Sequence, residues 1–120
     1  MITYRISTGE LTRDGVPLGF GYSGQPECKN DPTQCDQHNR GPIPPGRYTI
    51  GEPHDTQTHG PFVLRLTPRP DNLMFGRSGF LIHGDSVVHP GTASHGCIIL
   101  PRAVREAVHR IDDHDLEVTP

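Results

Sequence analysis

With 120 residues, 32% of them hydrophobic and 21% charged, the chain has material for one hydrophobic core, and its net charge of −3 is unlike that of a disordered acidic or basic tail. Its basic residues are scattered, without the footprint of a nucleic-acid binder, and no apolar run approaches the ~20 residues of a membrane span. The remaining bulk, 14 glycines and 13 prolines without a repeating period, suits many turns between short strands and hence a β-rich fold.

The N-terminus, Met1 to Arg5, has no positive region followed by an apolar stretch, so no Sec-type signal peptide is expected. Ile2, Tyr4 and Ile6 alternate with polar residues as a half-buried strand would. Asp14-Gly15 is a turn signal, after which Val16, Leu18, Phe20 and Tyr22 alternate on one face, predicting opening hairpins or a meander. Residues 23–47 are poor in apolar side chains and rich in Gly, Pro, Asn and Asp, a long irregular segment of the kind that is usually functional or disordered. Tyr48-Thr49-Ile50 and then Phe62, Leu64 and Leu66 predict two further strands, with residues 51–61 as their connection and Pro68 and Pro70 as the stop. The run from Gly79 to Gly84 predicts a buried central strand. Pro101 suits a first helical position, and Val104, Ala107, Val108 and Ile111 share one helical face. Asp112 and Asp113 fall at or past the helix end, and Leu116 and Val118 predict a last short strand. With no internal repeat or linker, residues 1–120 read as one domain.

The chemistry concentrates between Phe80 and Ile98. A free thiol is a poor nucleophile at neutral pH and needs an imidazole to take its proton or to stabilise a thiolate. Cys97 follows Ser94-His95-Gly96, where glycine allows close approach of substrate to the backbone and consecutive N–H groups could converge on an oxyanion. His83 ends a predicted strand fourteen residues upstream, a rigid place from which to reach Cys97.

His83-Gly84 followed after a loop by Ser94-His95-Gly96-Cys97 resembles the signature of L,D-transpeptidase-type catalytic domains. With Tyr22-Ser23-Gly24, Lys29-Asn30-Asp31-Pro32 and the run Gly41 to Tyr48 upstream, residues 9–111 look like the Tlde1-type branch, toxins delivered by type VI secretion systems. The resemblance implies a mainly antiparallel β-sandwich with one α-helix after the catalytic cysteine. It implies Cys97 as acylated nucleophile, His83 as base, the Gly84 carbonyl steadying the imidazole, His95, Gly96 and Cys97 supplying backbone groups around the oxyanion, and Ser94 positioning the loop. The substrates it implies are peptidoglycan stem peptides, cut between the third-position diamino acid and D-alanine. Release to water, to a free D-amino acid or to another stem would make the enzyme an L,D-carboxypeptidase, an exchanger or a cross-linker. A secretion-system component and an immunity protein that occludes the groove are the implied partners, the periplasm of a target bacterium is the implied site of action, and no cofactor is implied. Two departures favour trimming or exchange over cross-linking: only ten residues separate His83 from Ser94, and Ile99 stands where many relatives have arginine.

Other readings compete. Without its flanking residues Cys97 would be an inert buried cysteine. A non-catalytic peptidoglycan-binding or inhibitor module could keep the same fold. His83, His89, His95 and Cys97 are all conceivable zinc ligands for a hydrolase, but no His-Glu-x-x-His or Cys-x-x-Cys spacing supports a metal site. His38, His54, His59, His109 and His114 read as surface or loop histidines. Cys28 and Cys35 either stand unpaired or close a disulfide worth about 2.5 kcal/mol. Arg77 and Arg102 read as solvated side chains before carboxylate binders, and Tyr22 and Tyr48 as half-core residues before stacking platforms.

Overall fold

In the computed structural model, which describes residues 1–120, the first strand β1 (Ile2–Arg5) turns Ile2 and Tyr4 wholly into the core. β2 (Glu10–Arg13) pairs antiparallel with β1, and Asp14-Gly15, both at positive φ (51° and 83°), turns the chain into β3 (Val16–Phe20). Two left-handed turn residues suit the twist of a tight hairpin. Of the alternating apolar residues of β3 only Leu18 packs against the core, while Val16 and Phe20 are 64% and 60% exposed. β4 (Tyr22–Ser23) follows after Gly21, and the irregular segment expected next is present, broken only by a 3₁₀ turn at Pro32–Gln34.

β5 (Gly46–Thr56) and β6 (Gly60–Pro68) form a hairpin longer than the sequence suggests. Most of residues 51–61, expected as a connection, are strand, with register shifts between Ile50 and Pro53 and between His54 and Thr56. A bulge accommodates a proline that cannot donate to the ladder, which is why Pro53 disguised this strand. The buried central strand is the short β7 (Leu81–His83), followed by β8 (Ile98–Ile99), the helix α1 (Arg102–Arg110) and β9 (Asp115–Thr119). Pro101 is the residue before the helix rather than its first turn. Val108 is buried and Val104 half-buried as their spacing predicts, but Arg105 is buried beside them.

The nine strands form one mixed sheet in the order β3-β2-β1-β9-β5-β6-β7-β8-β4. The fold is mainly β with one helix after Cys97, as expected. Two pairs, β1 with β9 and β7 with β8, are parallel, and the rest are antiparallel. β3 and β4 lie at opposite ends of this order yet are separated in sequence by Gly21 alone, so the sheet curls until its ends meet. Gly21 makes that seam: its N–H donates to Gly9 O at 2.8 Å, and a Cβ there would come within 1.7 Å of Ile99 O. Inside the curl lies a core including Ile2, Tyr4, Tyr48, Leu64, Ile82, Ile98 and Leu116. No helix is long and apolar enough to cross a membrane.

Candidate active site

β7 and β8 run parallel in register, Ile82 beside Ile98 and His83 beside Ile99. Ile82 and Ile98 point into the core, so by alternation His83 and Ile99 face the other side of the sheet, and Cys97 lies in the bend just before β8. Cys97 thus immediately precedes the strand that runs parallel to the one His83 ends.

The Ser94–Cys97 run is bound from below by its carbonyls. Gln25 Nε2 donates to Ser94 O at 2.8 Å, Arg77 Nη2 to His95 O at 3.2 Å, Ser23 Oγ to Gly96 O at 2.9 Å, and Ser94 Oγ to Cys97 O at 2.6 Å. The fully buried Ser94 hydroxyl also accepts from Gly24 N–H at 2.9 Å and Gly96 N–H at 3.1 Å. The N–H groups of His95 and Cys97 make no hydrogen bond within the protein. Gly96 has φ 140°, and a side chain there would drive a Cβ to 2.5 Å from Arg77 Nη2 and 2.8 Å from the Phe80 ring. Glycine is therefore required at this position both by backbone conformation and by space.

His83 is 3% exposed, and its Nδ1 lies 2.8 Å from Gly84 O. A carbonyl can only accept, so Nδ1 carries the proton and Nε2 is left as a bare acceptor. Burial holds the imidazole below its usual range, helped by His59 and Arg105 and opposed by the Gly84 carbonyl and Asp85. Burial likewise pushes the Cys97 thiol up, against the pull of the Leu81 N–H and the Arg77 guanidinium. At neutral pH the pair is thus a thiol and a neutral imidazole, an arrangement suited to proton transfer from sulfur to Nε2 during attack rather than to a standing ion pair.

Arg77 corrects the reading of a solvated side chain. It is 8% exposed and donates to Cys35 O, Pro42 O and Gly41 O at 2.6, 2.7 and 2.9 Å besides His95 O. Five donors in a fixed fork let one side chain tie the Gly41–Gly46 segment to the cysteine loop. Arg102, by contrast, is exposed, paired with Glu106 along the helix. Ser23 bridges the same two segments, since its hydroxyl also accepts from Ile43 N–H at 2.9 Å. Ser23 stands within the Tyr22-Ser23-Gly24 match, whereas Gln25, in the glycine- and proline-rich stretch, carries no signal of its own in the sequence.

The loop from Gly84 to Ala93 is pinned by Asp85, which accepts from Tyr22 OH at 2.6 Å, Ser86 N–H at 2.8 Å and Gly91 N–H at 3.1 Å. Tyr22 OH in turn accepts from Ala93 N–H at 3.0 Å, and burial and Asp85 push the phenol up to about 12. Tyr22 is half-buried, and Tyr48 wholly so, with its hydroxyl on Pro44 O. Cys28 and Cys35 are buried free thiols, with Cys35 Sγ directed at Ile43 O, so no disulfide ties this segment. His83, His89, His95 and Cys97 do not form a group that could hold a metal ion.

Two cavities open on this face. One, of about 320 Å³, is lined by Cys97, Gly96, Arg77, His38, His59 and His95 among others. The second, about 560 Å³, reaches His83, Gly84, Asp85 and Pro61, and shares His59 and His95 with the first. These two histidines are thus common to the thiol side and the imidazole side.

Among models of protein families, the Tlde1 domain matches residues 19–119. No curated protein and no solved structure matches.

Proposed function

The chain belongs to the Tlde1 domain family, the L,D-transpeptidase effectors of type VI secretion, and from that premise we propose that it is a Cys97 enzyme that trims stem tetrapeptides of peptidoglycan or exchanges their terminal D-alanine. The observation that carries this reading is His83 Nδ1 at 2.8 Å from Gly84 O, at the end of the strand that runs parallel to β8, which Cys97 immediately precedes. The family as a whole implies a peptidoglycan substrate and action in the periplasm of a target cell.

In this mechanism His83 Nε2 takes the Cys97 proton as sulfur attacks the carbonyl of the third residue. The N–H groups of His95 and Cys97, which have no partner within the protein, receive the oxyanion. Collapse breaks the amide bond, and the His83 proton passes to the departing D-alanine amine, leaving a thioester on Cys97. Water attack, with His83 again as base, gives a tripeptide and free thiol; attack by a D-amino acid gives the exchanged tetrapeptide. Ser94 and Gly96 act by shaping the loop, and Gly84 by fixing the imidazole. The short connection between His83 and Ser94 favours small acceptors over a second stem. A cognate immunity protein would protect the producer by covering the two cavities.

The test is mass spectrometry of disaccharide-tetrapeptide incubated with the protein or with Cys97→Ala, with and without D-methionine. Loss or replacement of D-alanine only with the intact cysteine is expected. An unchanged tetrapeptide with folded protein in every sample would instead favour a peptidoglycan-binding module.

A further inference from the structure

No spacing in the sequence singles out His59, an exposed side chain at the tip of the β5–β6 hairpin. In the fold its ring lies against that of His83, with centroids 4.7 Å apart and planes inclined at 54°. It lines both the thiol-side and the imidazole-side cavity. Its own position is fixed: the His59 N–H donates to Thr56 Oγ1 at 2.8 Å, and Nδ1 lies 2.9 Å from Thr58 Oγ1.

The hairpin tip is in turn clamped by α1. Arg105 donates from Nε to Phe62 O at 3.0 Å and from Nη2 to Pro61 O at 3.3 Å, while its Nη1 donates to Leu100 O at 2.6 Å just beyond β8. The Arg102 guanidinium lies 4.7 Å over the Phe62 ring, and His109 meets that ring edge-on at 5.8 Å. Phe62 itself is at φ 55°, a backbone that non-glycine residues avoid unless their surroundings impose it. Helix, arginine and strained phenylalanine together press one hairpin tip against one imidazole.

The hydrogen bond from Nδ1 to Gly84 O restrains one edge of the almost fully buried His83 ring, and the ring of His59 packs against it as a second restraint. We propose that His59 is a positioning residue for His83: its ring, delivered by the clamped hairpin tip, fixes the His83 ring in the orientation that directs the Nδ1 proton to Gly84 and leaves Nε2 bare. The proposal extends the reading of His83 as the base. The groups facing His83 are His59 from the hairpin, Arg105 from α1 and Asp85 from the following loop, with His95 across the shared cavity. His59 and Arg105 disfavour a positive charge on His83, and Asp85 favours one.

The test is a side-chain ¹⁵N–¹H NMR titration of the histidines in the wild-type protein, His59→Ala and His59→Phe, alongside kcat and KM on the tetrapeptide. In His59→Ala the His83 ring is expected to titrate at higher pH, as its cover and its neighbour are both lost. It should also show mixed tautomers at high pH, and kcat should fall about ten- to hundredfold with KM little changed. His59→Phe, which restores a ring without a charge, should recover the single tautomer and most of kcat. An unchanged His83 tautomer and titration in His59→Ala would overturn the proposal. So would equal shifts in both variants, which would assign the effect to the charge of His59 and not to its ring. An inactive wild-type protein with the expected ring signature would overturn the base assignment and leave the contact between the two rings standing.

Discussion

Burial acts on Cys97 and His83 in opposite directions on the pKa scale and to the same end, disfavouring the charge of each. In the proposed mechanism the Cys97 proton therefore moves during the reaction, and activity depends on His83 being neutral beforehand. The acid limb of kcat/KM is expected below about pH 6.5, the ordinary imidazole value, with no loss of rate between there and pH 8. A limb above pH 7 in the pH–rate profile would contradict the account. The same shift bears on stability. An imidazole that binds its proton less well when folded contributes fully above about pH 6.5, and the contribution is lost as pH falls through the folded value, so mild acid should weaken the protein. Ser94 is the other residue whose loss is calculable. Ser94→Ala strands two buried N–H donors and the Cys97 carbonyl, and should lower the unfolding free energy by about 2–4 kcal/mol in urea denaturation. Unchanged stability would mean that the loop holds its shape without the hydroxyl.

At the scale of elements, the strands with clean alternation were legible: Ile2 and Tyr4 in β1, Leu64 and Leu66 in β6, and Leu116 and Val118 in β9 are all buried where their period predicts. The errors have physical causes. Pro53 at a bulge hid the second half of β5, and in β3, at one end of the ladder and shifted in register against β2, only Leu18 of the alternating set reaches the core. Nothing local revealed that β9 would insert between β1 and β5, since that pairing joins the two ends of the chain. The candidate motif was legible because its residues are contiguous or nearly so. Of its supports, Ser23 stood within the Tyr22-Ser23-Gly24 match, but Arg77 and His59 did not stand out, because they reach it from separate segments that only the folded chain brings together. Gly21 is the element-scale position most open to test. Gly21→Ala forces a Cβ toward Ile99 O at the seam between the first and last strands, and is expected to lower Tm by several degrees, roughly the effect of 1–3 kcal/mol in a domain of this size. A Tm within one degree of the parent, read by calorimetry, would show that the seam has room that the geometry denies.

The whole molecule is a curled sheet whose closure does the work of assembling the site. β4 returns from the far end of the ladder to pair with β8, and that pairing carries Ser23 beneath Gly96 and Tyr22 beside Asp85. The segment Gly41–Gly46 backs the cysteine loop through Arg77, so the glycine- and proline-rich stretch that reads as irregular is the foundation of the nucleophile. On the opposite flank α1 presses the β5–β6 tip toward His83. A thioester on Cys97 is open to acid-quenched mass spectrometry of the protein minutes after mixing with disaccharide-tetrapeptide. The expected result is a mass increment equal to the substrate less D-alanine, confined to the peptide containing Cys97, absent from Cys97→Ala and depleted faster when a D-amino acid is added. Release of D-alanine by Cys97→Ala at the parent rate, with no adduct on any cysteine, would contradict it.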